Sequence, residues 1–305
     1  MTNDTPQKSR QRTQSSVRND LLSVGVIAEE RIEIFSIETR DNPSLAVYRD
    51  TQTKVVFIDD YYVGDDEYVR GTYWGVPKPN TATANRDYEE LLDSERRFLT
   101  YRQFLTAKSV LDFGCGAGSF LRKANTVAET VTGVELQQNF AEALNRDGIS
   151  CYESLSSITS KLDVITLFHC FEHLPNPLDS LRSLRESLVQ NGGRLIIEVP
   201  HARDFLVDTL RVQEFIDFTL WSQHLVLHTR ESLNALLMAA GFRNIVIEGI
   251  QRYGLSNHLR WLTDGRPGGH KENLSVLESA ALSAAYAASL SKIDANDTLV
   301  AIATT

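Results

Sequence analysis

The chain has 305 residues, 42% hydrophobic and 23% charged, which is enough to bury a core without staples. Its formal net charge of -9 excludes a broad basic surface for nucleic acid, and no apolar run approaches the roughly 20 residues of a membrane-spanning helix. Cys115, Cys151 and Cys170 lie far apart and are odd in number, which argues against a disulfide framework and for a reducing cytoplasm.

Residues 1–20 are polar, mixed in charge and lack an apolar h-region, so they read as a disordered tail and not as a secretory signal. Residues 21–85 read as a β-rich unit. Its runs RIEIFSIE, LAVYRD and KVVFIDDYY, separated by the turn-like RDNPS and DTQTK, predict a small antiparallel β-hairpin unit. After the loop GVPKPNTATANRD, apolar residues from Tyr88 to Leu105 fall largely at helical spacing and predict a packing helix that leads into a main domain, residues 86–305.

In that domain the strand-like runs SVLDF, ETVTGVEL, LDVITLF and RLIIEVP alternate with the helix-like GSFLRKANTVA, QQNFAEALNR and PLDSLRSLRESLV. Strands separated by helices of that length imply right-handed βαβ units and an α/β fold, a doubly wound parallel sheet with helices on both faces. ESLNALLMAAGF then reads as an amphipathic helix closed by Gly241, RNIVIEGI as another strand and DTLVAIAT as the last. Between those strands an insert at about 251–290 is far longer than an ordinary connection and is expected on the substrate side.

VLDFGCGAGSFL sets Gly114, Gly116 and Gly118 between a strand and a helix, where the backbone can turn sharply and approach a ligand. Glu135 follows at the end of the next strand, where an acid accepts hydrogen bonds from an adenosine ribose. Asp112 just ahead of the loop would repel a pyrophosphate, and Ser119 stands where a dinucleotide fingerprint has its third glycine. Both features point away from a nicotinamide oxidoreductase and towards an adenosyl ligand that carries an ammonium and a sulfonium.

VLDFGCGAG, VTGVEL, LDVITLFHCFEHLPNPLDSL and GGRLIIEVPH, in that order over roughly residues 105–250, resemble the class I S-adenosylmethionine-dependent methyltransferases. The resemblance implies a Rossmann-like, seven-stranded, mostly parallel sheet with its last strand antiparallel, and S-adenosyl-L-methionine as cofactor. It places cofactor contacts at Asp112, Phe113, Gly114, Cys115, Gly116, Gly118, Glu135, Leu136, Gln137, Phe168 and His169. Glu153 and Ser154, in CYESLSS, stand where many members hold the adenine amino group with an aspartate. A cofactor-binding subunit without turnover is the reading from a different class.

Within FHCFEHLP, the set His169-x-x-Glu172-His173 has the form of an inverted zinc-peptidase motif. That motif needs one continuous helix, whereas here it starts at a strand end and runs into Pro175 and Pro177. Beside the glycine loop its side chains are instead expected to face the transferable methyl. The segment resembles the EHL or EHV motif of sugar C-methyltransferases, some of which use the histidine as a base, and of quinone-biosynthesis O-methyltransferases. Some of the latter bind a divalent ion with an E-x-x-E-H set. His169 replaces that set's first glutamate, which speaks against Mg2+, and no metal is expected. His173 is the expected general base, since an unperturbed imidazole titrates near pH 6.5, with Glu172 orienting it or bonding the substrate and His169 alongside.

Tyr73, Trp74, His201, Arg203, His224, Arg252, Tyr253, Asn257 and His258 are candidate acceptor contacts, being residue types that stack on rings or bond hydroxyls. The pairs His224/His228 and His258/His270 lack metal-ligand spacing. The hairpin unit occupies the position of the cysteine zinc module of sugar C-methyltransferases but has no cysteine. The arrangement is similar to methyltransferases of surface-glycan and lipopolysaccharide assembly. O-methylation of a sugar or glycan precursor in the cytoplasm is therefore expected, with sugar C-methylation or quinone and small-metabolite O-methylation as alternatives. Neither nucleic acid nor membrane insertion enters this reading, and the sequence leaves open whether two copies pair as a homodimer.

Overall fold

The computed structural model describes residues 15–71 and 82–305, with the side chains of 82–88 outside that description. The candidates Tyr73 and Trp74 lie outside the described residues. Helix α1, Val17–Ser23, buries Val17 and Leu21 in the main core, and the Ser16 N–H donates to the Pro175 carbonyl at 2.8 Å. Residues 17–20 thus belong to the folded body, which corrects the expected extent of the tail. Strands β1 (Ile32–Ser36), β2 (Val47–Asp50) and β3 (Val56–Ile58) then pair antiparallel in sequence order.

After α2 (Asp65–Val69) and α3 (Ala82–Leu105), the main domain runs β4 (Ser109–Phe113), α4 (Ser119–Ala124), β5 (Thr130–Val134), α5 (Gln138–Arg146), β6 (Ser150–Tyr152) and β7 (Val164–Phe168). It continues with α6 (Pro177–Ser187), β8 (Arg194–Pro200), α7 (Gln213–Thr219), β9 (Val226–Leu227), α8 (Arg230–Ala239) and β10 (Arg243–Ile250). The insert supplies α9 (Leu255–Asp264) and α10 (Ala280–Lys292), and β11 (Thr298–Thr304) ends the chain. β9 pairs with β3, so the N-terminal strands are closed by a piece of the main domain; a small hairpin alone is marginal in water.

The large sheet has the order β10-β11-β8-β7-β4-β5-β6, with β4 to β8 parallel and β11 antiparallel to both neighbours. This is the expected seven-stranded α/β architecture, the last strand lying one in from the edge. Side chains alternate across the strands and build a core on each face. Leu111, Ile165 and Ile197 pack with Leu181 of α6 and Leu236 of α8, while Val110, Val164 and Ile196 pack with Leu105 of α3, Leu121 of α4 and Leu144 of α5. Among the described residues no helix is long and apolar enough to cross a membrane.

Candidate active site

The chain leaves β4 through Gly114, Cys115, Gly116, Ala117 and Gly118 and enters α4. Gly114 has φ 75°, and a Cβ there would lie 2.5 Å from Cys170 Sγ, so only glycine lets this turn pack against the segment after β7. At Gly116 a Cβ would meet no atom of the described residues within 4 Å. Glu135, buried at the end of β5, accepts the N–H groups of Gly116 and Gln137, each at 2.8 Å. Burial raises its carboxyl above the ordinary value against the pull of those donors. Each oxygen still has a further lone pair for a ligand.

Asp112 is turned into the sheet, where the Thr166 hydroxyl donates to it at 2.7 Å and burial raises its carboxyl to about 7. It does not present the full charge on which the argument against a pyrophosphate rested, and that argument is corrected. The Phe168 ring is held by Phe120 at 4.8 Å, by Tyr101 at 6.0 Å and by the Arg97 guanidinium. Phe113 packs half-buried on the core and Cys115 lies 3.9 Å, sulfur to sulfur, from Cys151. Leu136 is half-buried and Gln137 buried beside Glu135, while Glu153 is exposed and Ser154 caps the turn at 155–157 by accepting the Ser156 N–H.

Beyond β7, His169 takes φ 51° and Phe171–His173 form a single 3-10 turn, so His169 and His173 do not share the helical face a zinc peptidase needs. His169 Nε2 accepts from Arg252 at 2.9 Å, and Arg252 is itself paired with Asp93. Arginine only donates, so His169 Nδ1 carries the hydrogen, 3.4 Å from Glu172 Oε1. Glu198, fully buried in β8, receives Arg96 at 2.8 Å and Arg97 at 2.6 Å. Burial acts to raise its carboxyl, but Arg97, His169 and Arg96 hold it well below the usual range.

Glu172 is 1% exposed, and among the described residues neither of its oxygens has a well-aligned hydrogen-bond partner, His169 Nδ1 lying 3.4 Å from Oε1. Burial acts to raise it, and the neighbouring His169 and His173 outweigh that and hold it at about 2. His173 Nδ1 lies 2.7 Å from the Gln223 carbonyl. A carbonyl only accepts, so Nδ1 donates and the neutral ring keeps its lone pair on Nε2, 3.9 Å from Glu172 Oε1. The Gln223 carbonyl thus orients the His173 ring.

A cavity of about 770 Å³ opens beside this segment, and six of the seven histidines line it: His169, His173, His201, His224, His258 and His270. Burial depresses His201 and His258 to about 4 and His224 to about 3, so these three rings are neutral at pH 7. Tyr253 and Asn257 also line the cavity, with Trp261 and Phe215. Arg203 is not among the lining residues; it pairs with Asp294 at 3.1 Å. Arg252 borders the cavity, and its guanidinium donates to Asp93 and to His169, which it positions.

Asp204 and Asp297 were not anticipated and lie at the cavity wall. Asp204 accepts the Leu206 N–H at 2.6 Å and caps the following turn, while burial and the Asp297 charge raise its carboxyl to about 8. A carboxyl raised on folding contributes stability that is complete below its unfolded pKa of roughly 4 and is lost as pH rises through the folded value. Asp204→Asn keeps the cap acceptor and has no proton to lose. Thermal melts between about pH 5 and about pH 9 should therefore show a shallower decline for the variant than for the wild type; parallel curves would contradict the assignment.

The family of the methyltransferase domain matches residues 83–247. The chain is 30% identical over 102 residues to a ubiquinone biosynthesis O-methyltransferase of Vibrio parahaemolyticus, covering 30% of this chain and 43% of that one. It is 31% identical over 111 residues to the protein of the same name from Thiobacillus denitrificans, covering 32% and 46%. It thus spans less than half the length of these curated relatives. Among solved structures it is similar to a SAM-dependent methyltransferase from Archaeoglobus fulgidus, with a TM-score of 0.48, 21% identity, and coverage of 71% of this chain and 94% of that one. With its match over more than half its length, the chain belongs to the methyltransferase-domain family.

Proposed function

We propose that the protein transfers a methyl group from S-adenosyl-L-methionine to a hydroxyl of a small acceptor held in the histidine-lined cavity. One observation carries this reading: the segment from His169 to His173 is shared by both halves of the site. Cys170 packs on Gly114 of the loop, while His169, Glu172 and His173 line the cavity. The donor set suits the cofactor, since no atom of the described residues crowds Gly116 and the buried Glu135 keeps lone pairs for a ribose. Gly114, Gly116, Gly118, Glu135, Leu136 and Gln137 would hold it, with Glu153 and Ser154 nearest the adenine. When bound, it supplies an electrophilic methyl on sulfur.

The chain's own part is to align the acceptor, exclude water and take a proton. His173 would accept the acceptor's hydroxyl proton at Nε2, the lone pair that its hydrogen bond to the Gln223 carbonyl leaves free. Tyr253, Trp261, His201 and His258 surround the acceptor. A sugar or glycan precursor and a hydroxylated ring both suit such a lining, and the names of the curated relatives support the ring. Calorimetry should detect S-adenosylhomocysteine binding and no NAD binding, and labelled cofactor should pass methyl to a phenolic or sugar fraction of a cell extract. Binding of NAD in place of S-adenosylhomocysteine would overturn the proposal.

A further inference from the structure

We propose that Cys115 and Cys151 are a thiol pair that oxidation joins as a disulfide, and that this bond draws the glycine loop away from Glu135 and weakens cofactor binding. The two sulfurs lie 3.9 Å apart, with Cys115 9% and Cys151 8% exposed. They reach each other across β5. Cys115 belongs to the loop after β4, and Cys151 to β6, where it is the register partner of Gly133 in β5. Gly133 is what lets them meet. A Cβ there would lie 2.7 Å from Cys115 Sγ and 3.0 Å from Cys151 Sγ, so a larger residue would fill the space the sulfurs share. Its φ is not in the left-handed region, so the backbone does not itself demand glycine.

The loop, and not the sheet, is the part that must yield. A disulfide sets its sulfurs about 2.05 Å apart, so about half of the present separation has to close. The Cys151 backbone is held on both sides by the Asn145 side chain, whose Oδ1 accepts its N–H at 3.0 Å and whose Nδ2 donates to its carbonyl at 3.1 Å. Cys115 instead stands between Gly114 and Gly116, and the Gly116 N–H is the donor that Glu135 accepts at 2.8 Å. Moving Cys115 towards β6 pulls on that bond. Cys170, the third thiol, packs against Gly114 from the segment after β7.

The oxidant is hydrogen peroxide. Cys115 donates its S–H to Cys151 and draws that thiol below its ordinary value, so Cys151 ionises first and its thiolate attacks a peroxide oxygen. The O–O bond breaks, giving a sulfenic acid on Cys151 and hydroxide, which takes up the thiol proton and leaves as water. The Cys115 sulfur then attacks the Cys151 sulfur and the sulfenic hydroxyl leaves with the Cys115 proton as a second water. Each sulfur is oxidised by one electron and both peroxide oxygens are reduced to water. The effect on the cofactor rests on the function proposed above, whereas the cross-link and the loop shift do not.

The full chain, reduced and then treated with hydrogen peroxide, should fall in mass by two hydrogens and yield a peptide cross-linked through Cys115 and Cys151. Amide exchange at Gly116 should quicken on oxidation. Affinity for S-adenosylhomocysteine, read by calorimetry, should fall about 10- to 100-fold, the worth of one hydrogen bond to a charged group. Dithiothreitol should reverse all three changes. Cys151→Ser should bind as the reduced wild type does and ignore peroxide, while Cys170→Ser should show the same ratio of reduced to oxidised affinity as the wild type. Should Cys151→Ser not fold, Cys151→Ala reads the same outcomes. The idea is overturned if no cross-link forms, if Cys170 is joined in place of either partner, or if the cross-linked protein keeps its Gly116 exchange rate or its affinity. A reduced protein that binds no S-adenosylhomocysteine, yet cross-links and loses protection at Gly116, would sink the functional reading and leave the loop switch standing.

Discussion

Replacing Gly114 with alanine is expected to abolish measurable S-adenosylhomocysteine binding and to lower the melting temperature. Two costs combine at this position. A side chain at φ 75° carries roughly 1–2 kcal/mol of backbone strain. The added Cβ would also lie 2.5 Å from Cys170 Sγ, so either the loop or the segment after β7 must shift. Neither can shift alone, because Gly116 is tied to Glu135 at 2.8 Å and His173 to Gln223 at 2.7 Å. Adding Cys170→Ala should recover the packing part and leave the strain, a coupling that a double-mutant cycle reads directly. Gly116→Ala is the contrast: with no atom of the described residues within 4 Å of its Cβ it should cost only the strain in stability, yet still lose affinity because the methyl projects from the binding loop. Unchanged affinity in Gly114→Ala would remove the loop from the binding site.

The parallel sheet and the glycine loop were legible because each rests on local pattern. Fully apolar runs such as VITLF need burial on both faces, and a strand-to-helix turn with three glycines has few uses. Asp112 was legible too but was misread. Alternation along β4 puts it on the face of Val110, inside the sheet, whereas Phe113 shares the face of Leu111. Glu198 carried an unused signal, an acid inside the apolar run RLIIEVP, which in a parallel strand demands buried cationic partners. Arg96 and Arg97 on α3 are those partners.

Other parts had no local signal. The seven residues of α1 hold few apolar side chains, and their helix exists because Val17 and Leu21 find the core. β9 is two residues long and is defined only by its pairing with β3. The role of Gln223 is played by its backbone carbonyl, which any residue would supply, so no side-chain reading could find it. The same holds for Arg252: its type suggested a substrate contact, but Asp93, distant in sequence, determines where its guanidinium goes.

His173→Ala is the other substitution with a large expected effect: a fall in kcat of about 100- to 10,000-fold with S-adenosylhomocysteine affinity unchanged. The separation follows from position. His173 lines the cavity and contacts Glu172 and the Gln223 carbonyl, whereas the loop is held by Gly114 packing and by Glu135. Loss of the ring removes the Nε2 lone pair from the acceptor side without touching those supports. It also leaves the buried Gln223 carbonyl without its donor, so some loss of stability should accompany the kinetic effect. His173→Asn separates the two, because an amide nitrogen can still donate to the Gln223 carbonyl but the side chain cannot take a proton at neutral pH. It should melt closer to the wild type than alanine does and be no more active. Single-turnover transfer of labelled methyl to the acceptor identified from extract is the deciding measurement. A rate within about tenfold of the wild type in both variants would mean that alignment alone drives the reaction and that His173 is no base.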